Sequence, residues 1–159
     1  MTVEELIEAA AQLPKPNAEA AAEYAARSES LAAELNRAMC AREDVKMLIG
    51  ANNTEMMQDN HRNHARFMSS LCAEYHPEVL VNTVLWVFRA YRAHGFRLTY
   101  WPAQLAAWIS LLERELSEPA FDSIYPLYHF MLIHQADFVR LSDEIVIADA
   151  TIRHSPNGR

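Results

Sequence analysis

Two histidines three residues apart, His61 and His64, are the first candidates for chemistry in this chain. That spacing puts both imidazoles on one face of a helix, within reach of a single metal ion. His134 and Asp137 repeat the spacing, and two such pairs on facing helices follow the general logic of a metal site in a bundle core. The carboxylate-rich Glu-x-x-His set of di-iron bundles is missing. The plainer reading is preferred: His61 and His64, with Asn60 and Asn63 beside them, satisfy hydrogen bonds at a partly buried interface. His129 and His134 are five apart and face different sides, so they cannot chelate together on a regular helix.

Nucleophilic catalysis finds no local motif. No G-x-S-x-G elbow is present, and Cys72 is separated from His76 by the helix break before Pro77. Three scattered glycines leave no phosphate-binding loop. The acidic pairs Glu4–Glu5 and Glu43–Asp44 sit in polar contexts and read as solvated helix ends. The aromatics Trp86, Trp101, Trp108, Tyr91, Tyr100, Tyr125 and Tyr128 concentrate in the later helices, where large rings usually fill interhelical seams. Together with the histidines they could also wall a pocket for a flat molecule such as a tetrapyrrole.

The elements that must position these residues read as about six helices. Thr2 and Glu5 form a capping box for a short first helix that Pro14 and Pro16 end. A second, Ala-rich helix follows Asn17, with Leu31, Leu35 and Met39 on a narrow seam whose small neighbours admit a close partner. Met47, Leu48 and Ile49 then lead to Gly50, a plausible helix end. Asn52, Asn53 and Thr54 supply caps for a third helix to about Tyr75. Its stripe of Met57, His61, His64, Met68, Leu71 and Tyr75 steps by 4, 3, 4, 3 and 4. A fourth helix starts at Pro77, and its breadth of apolar positions predicts a central, nearly enclosed element ending in a Schellman-type cap at Gly95 and Phe96. Thr99 caps a fifth helix with Trp101, Leu105, Trp108, Leu112 and Leu116 along its seam. Phe121 to Ser142 reads as a sixth, with Pro126 kinking it or splitting off its first turn, and Tyr128, Met131, Gln135 and Phe138 on its core line. The tail begins with the β-branched, alternating EIVIADATI and continues as polar RHSPNGR, expected to be disordered.

The totals agree with an all-α chain. Its 159 residues suit one domain, 51% are hydrophobic and 22% charged, and the shortage of glycine favours helix. A net charge of −7 argues against a nucleic-acid partner. Arg89, Arg92 and Arg97 read as cations at the negative pole of a helix dipole. Cys40 and Cys72 match no metal spacing and read as free thiols. No basic leader and no apolar run near 20 residues is found, so a cytoplasmic protein off the membrane is expected.

One stretch also carries a resemblance. AYRAHGF, Tyr100 and QLAAWISLLERELSE resemble the junction between the proximal helix and the next helix of bacterial globins, over roughly Asn52 to Phe138. The resemblance implies a single globin-like domain in which His61 or His64 takes the polar distal place. Four residues before Gly95, where such globins carry an iron-ligating histidine, stands Tyr91, with His94 beside the glycine. This looks like the haem-less branch of the globin-like superfamily, the sensor and phycobilisome-type domains. Cys72, in SLCAEYHPE, lacks the Arg-Asp context a bilin attachment site would need.

The expectation is therefore a non-catalytic sensory, regulatory or interaction module without haem, with His61, His64, Tyr91, His94 and Trp101 around any ligand. Its partner is a second copy, another protein or a small apolar ligand. The alternative is a haem- or metal-binding helical protein using the same region. The domain division expected is an N-terminal helix over 1–16, a helical domain over 17–142 and a C-terminal extension over 143–159.

Overall fold

A computed structural model of the protein describes residues 1–153, with side chains through Glu144. The described residues form eight helices: α1 (Val3–Ala11), α2 (Ala18–Cys40), α3 (Val45–Ile49), α4 (Thr54–Ala73), α5 (Pro77–Arg92), α6 (Tyr100–Glu115), α7 (Glu118–Ile133) and α8 (Gln135–Arg153). No strand occurs among the described residues.

The caps account for the first boundaries. Thr2 Oγ1 accepts from the Glu5 backbone and Glu5 returns to the Thr2 N–H, while Asn17 Oδ1 accepts from Ala20 N at 2.8 Å to open α2. Around α2 the core assembles. It packs along α4 most extensively and also meets α6 and α7, with Ala20, Ala21, Leu31, Ala32, Leu35 and Met39 buried. α5 lies elsewhere, packed on α1 and α8, and its backbone approaches the neighbouring α4 only sparsely.

Several expectations are corrected. The count is eight rather than about six, because Val45–Ile49 forms a helix of its own and the predicted sixth helix is two. Its division is at His134, not at Pro126, which sits inside α7; Ser117 caps α7 through the Ala120 N–H, so the helix starts earlier and the proline lies beyond its first turn. EIVIADATI belongs to α8, which is helical to Arg153. The disorder expected of the polar end falls mainly on residues 154–159, outside the described residues; Arg153 is helical. α5 is not enclosed: Val79 and Trp86, two turns apart, are 47% and 60% exposed.

The two loops that frame α4 and α5 are tied together. Asn53 and Thr99 occupy N-cap positions but make no capping bond. Asn53 instead donates from Nδ2 to the carbonyls of Ile49 and His94, both at 2.7 Å, and Arg97 N donates to Leu48 O at 2.8 Å. After α5, Phe96 N donates to Tyr91 O and Gly95 N to Arg92 O, the two bonds of a Schellman cap, with Gly95 at φ +97°. Gly50, at φ +81°, backs onto it so closely that a Cβ there would lie 3.1 Å from the Gly95 carbonyl oxygen. Arg92 reaches α8, bonding Ser142 and, at 2.5 Å, Asp143, so it serves as a cross-link and not only as a dipole charge.

Candidate functional site

Where α4 and α5 stand apart there is a cavity of about 260 Å³. α4 contributes Asn60, Asn63, His64 and Phe67; α5 contributes Val84, Trp86, Val87, Phe88 and Tyr91; α6, α7 and α8 close it with Trp101, Gln104, Leu105, Met131 and Gln135. One wall is aromatic: Phe88 stacks on Trp101 at 4.9 Å between centroids, and Tyr91 meets Trp101 edge-on at 5.7 Å. Trp86 stands at the solvent side. Among the described residues no Lys, Arg, Asp or Glu lines the space.

The polar atoms around it fall into two groups. The first is saturated. His61 is fully buried, with Nδ1 2.6 Å from Asn36 Oδ1 and Nε2 3.0 Å from the Tyr100 hydroxyl. The Asn36 oxygen can only accept, so Nδ1 carries the proton and Nε2 is left as an acceptor. The Tyr100 hydroxyl has one hydrogen for two acceptors, His61 Nε2 and Asn60 Oδ1, each at 3.0 Å, and Asn60 Oδ1 also accepts from Gln104 Nε2 at 3.2 Å. Burial, with Arg62 nearby, pushes His61 down to about 3, so it is neutral.

The second group is incomplete. His64 Nε2 lies 2.9 Å from the Tyr128 hydroxyl, which lies 2.8 Å from the Tyr24 hydroxyl, and the His64 ring stacks on Trp108 at 4.8 Å. Burial first and the neighbouring His61 second push His64 down to about 3. Desolvation also holds both phenols above the usual tyrosine range, so all three groups are uncharged. Trp101, only 4% exposed, buries an Nε1 with no partner, and Gln135 gives Nε2 to Met131 O at 2.8 Å while its buried Oε1 has none.

Of the residues singled out from the sequence, His64, Tyr91 and Trp101 thus meet around one cavity. His61 lies behind it with both nitrogens engaged. His94 is exposed in the turn after α5 and is not among the lining residues. His134 contacts Asp137 at 3.5 Å, where Asp137 also holds the Met1 ammonium at 2.9 Å. Among the described residues no group of three or more His, Cys, Asp or Glu is placed to hold a metal ion. Cys72 is buried outside the cavity, its thiol pushed up to about 12 by desolvation.

Sequence reasoning missed Gln104, Phe67 and the lining role of Gln135. A glutamine on a core line, as at Gln135, and another three residues after Trp101 were the available signals. No helix among the described residues is long and apolar enough to cross a membrane. No protein family, curated protein or solved structure matches the chain.

Proposed function

We propose that the protein is a non-catalytic sensory or regulatory module, globin-like in the order of its helices, that binds a small planar molecule in the α4–α5 cavity. The observation that carries this is the cavity itself, aromatic on one wall and rimmed by amides. Ligand sites are characteristically apolar clefts with a few placed polar groups. An apolar cavity of about 150 Å³ takes a benzene, so about 260 Å³ suits one or two fused rings. The histidines near it are neutral and the one buried thiol lies elsewhere, which favours binding over nucleophilic or acid–base chemistry.

The haem alternative fits these residues poorly. A tetrapyrrole has four pyrrole rings against room for two, its carboxylates would find no cation in the lining, and His61 and His64 Nε2 are already bonded. Only Tyr91 remains as a ligand, an uncommon choice. Titration with naphthalene, read by tryptophan fluorescence, tests the proposal: saturable binding in the wild type and its loss in Val87→Trp, which fills the space, are expected. A Soret band in the purified protein that disappears in Tyr91→Phe would overturn it.

A second copy of the chain is the second reading, favoured by the exposed Val79 and Trp86 on one stripe of α5. Sedimentation at micromolar concentration checks it, with a monomer counting against.

A further inference from the structure

A second cavity, also of about 260 Å³, lies on the other side of α4, in its groove with α2. The two helices run antiparallel: Cys40 Sγ meets Gln58 at 3.7 Å, and Asn36, one turn earlier in α2, meets His61, one turn later in α4, at 2.6 Å. Ala32 and Ala65, both buried, form the floor. At one end the open polar groups are donors. Asn36 Oδ1 is taken by His61 Nδ1–H, so Nδ2 faces away from His61. It has no partner and is not among the unpaired atoms sealed from solvent, so it is open to the cavity that Asn36 lines. Arg62 and Arg66 stand beside it, exposed and one turn apart on α4. Arg62 gives one nitrogen to Asp59 and keeps the others; Arg66 has no partner among the described residues.

At the other end the open groups accept. Ser28 gives its hydroxyl hydrogen to the Ala25 carbonyl at 3.0 Å and keeps its lone pairs, and Glu29 is an exposed carboxylate in no ion pair. Helical side chains lean toward the N-terminus of their own helix, so in this antiparallel pair Arg66 leans toward Arg62 and Asn36 while Glu29 leans the opposite way. That accounts for two opposite charges in one cavity that leave each other unpaired. Seven residues of α2 separate Asn36 from Glu29, about 10 Å along the helix axis. We infer that this groove is a second ligand site, for a small zwitterion whose anionic head and ammonium tail are joined by an apolar spacer, as in an ω-amino acid. Arg62, Arg66 and Asn36 Nδ2 hold the head, Glu29 and Ser28 hold the tail, and the methylenes lie on the alanine floor. With about 3 Å given to the contact at each end, about 4–7 Å remains between the ligand's charges, the span of a chain of about five carbons.

The site is separate from the α4–α5 cavity, and neither reading depends on the other. The test is ¹H–¹⁵N NMR of the Asn36 side-chain amide during titration at low salt with 5-aminopentanoate, pentanoate, pentylamine and glycine. 5-Aminopentanoate is expected to shift the signal saturably and to bind at least about fivefold tighter than pentanoate or pentylamine, each of which lacks one charged contact. Glycine, whose charges are too close together to reach both ends, should bind no better than pentanoate. Arg66→Gln should abolish the preference over pentylamine, and Glu29→Gln the preference over pentanoate; both residues are exposed, so the fold is kept. No saturable shift with 5-aminopentanoate, or pentanoate binding as tightly, overturns the assignment and leaves naphthalene binding between α4 and α5 untouched. The His61 tautomer is an independent check. Nδ1–H is expected, and Nε2–H, which turns the Asn36 oxygen into the groove, overturns the donor end.

Discussion

α4 has two neighbours of opposite character. Toward α2 it packs most extensively, and the fully buried imidazole of His61 has both nitrogens bonded. Toward α5 the same helix, one turn later, presents His64 with one nitrogen open to a cavity. Both histidines are neutral for the same reason, desolvation, so charge does not distinguish them. Saturation does: on one side of α4 the imidazole has both nitrogens bonded, and on the other only one.

The largest effect that probes this contrast is acid. Both histidines sit at about 3 when folded, below the 6.5 of a free imidazole. The unfolded chain therefore binds protons that the folded one refuses. Stability is full above pH 6.5 and falls as pH drops toward 3, by about 1.4 kcal/mol per pH unit for each histidine. Urea unfolding at a series of pH values should follow that slope, and His64→Phe should halve it; a flat profile between pH 6 and 4 would contradict the buried neutral pair. Next in size, Leu35→Ala on the α2 seam should cost about 2–5 kcal/mol in unfolding free energy, as a truncation in a filled core does. Gly50→Ala should cost about 1–3 kcal/mol, from positive φ and the Gly95 carbonyl oxygen 3.1 Å from the new Cβ. Smallest is Val87→Ala on the cavity wall, below about 1 kcal/mol in stability because little packs beyond it. It should show itself as altered naphthalene affinity. A Val87→Ala loss equal to that of Leu35→Ala would erase the distinction between the two sides.

Most helices were legible because their ends are chemically marked: Thr2 with Glu5, Asn17, Pro77 and Gly95 each state a boundary. Where the marks misled, long-range contacts had taken the residue. Asn53 looks like a cap and spends its amide on Ile49 and His94, forty-one positions away in the latter case. Pro126 looks like a breaker, yet α7 runs through it and the division falls at His134, where no sequence signal stood out. EIVIADATI has strand-like alternation, but each β-branched residue disfavours helix by only a few tenths of a kcal/mol. α8 is already established from Gln135 and packs on α5, and that is enough to carry it on. At the site, periodicity placed His64 and Trp101 on inward faces. It could not say which of His61 and His64 would meet Asn36 and Tyr100, since that depends on how α2 and α6 are laid against α4.

The Asn53 amide has a consequence for the cavity's behaviour. At one end α4 and α5 are joined by the chain itself, through residues 74–76; at the other, Asn53 fastens the start of α4 to the turn that ends α5. The two walls therefore form a closed frame rather than a pair of jaws. Neither wall can slide along the other or swing wide about a single pivot. For the α4–α5 ligand site proposed above, such a frame sets one span for the opening, so selection among guests would be by size, like the mesh of a sieve.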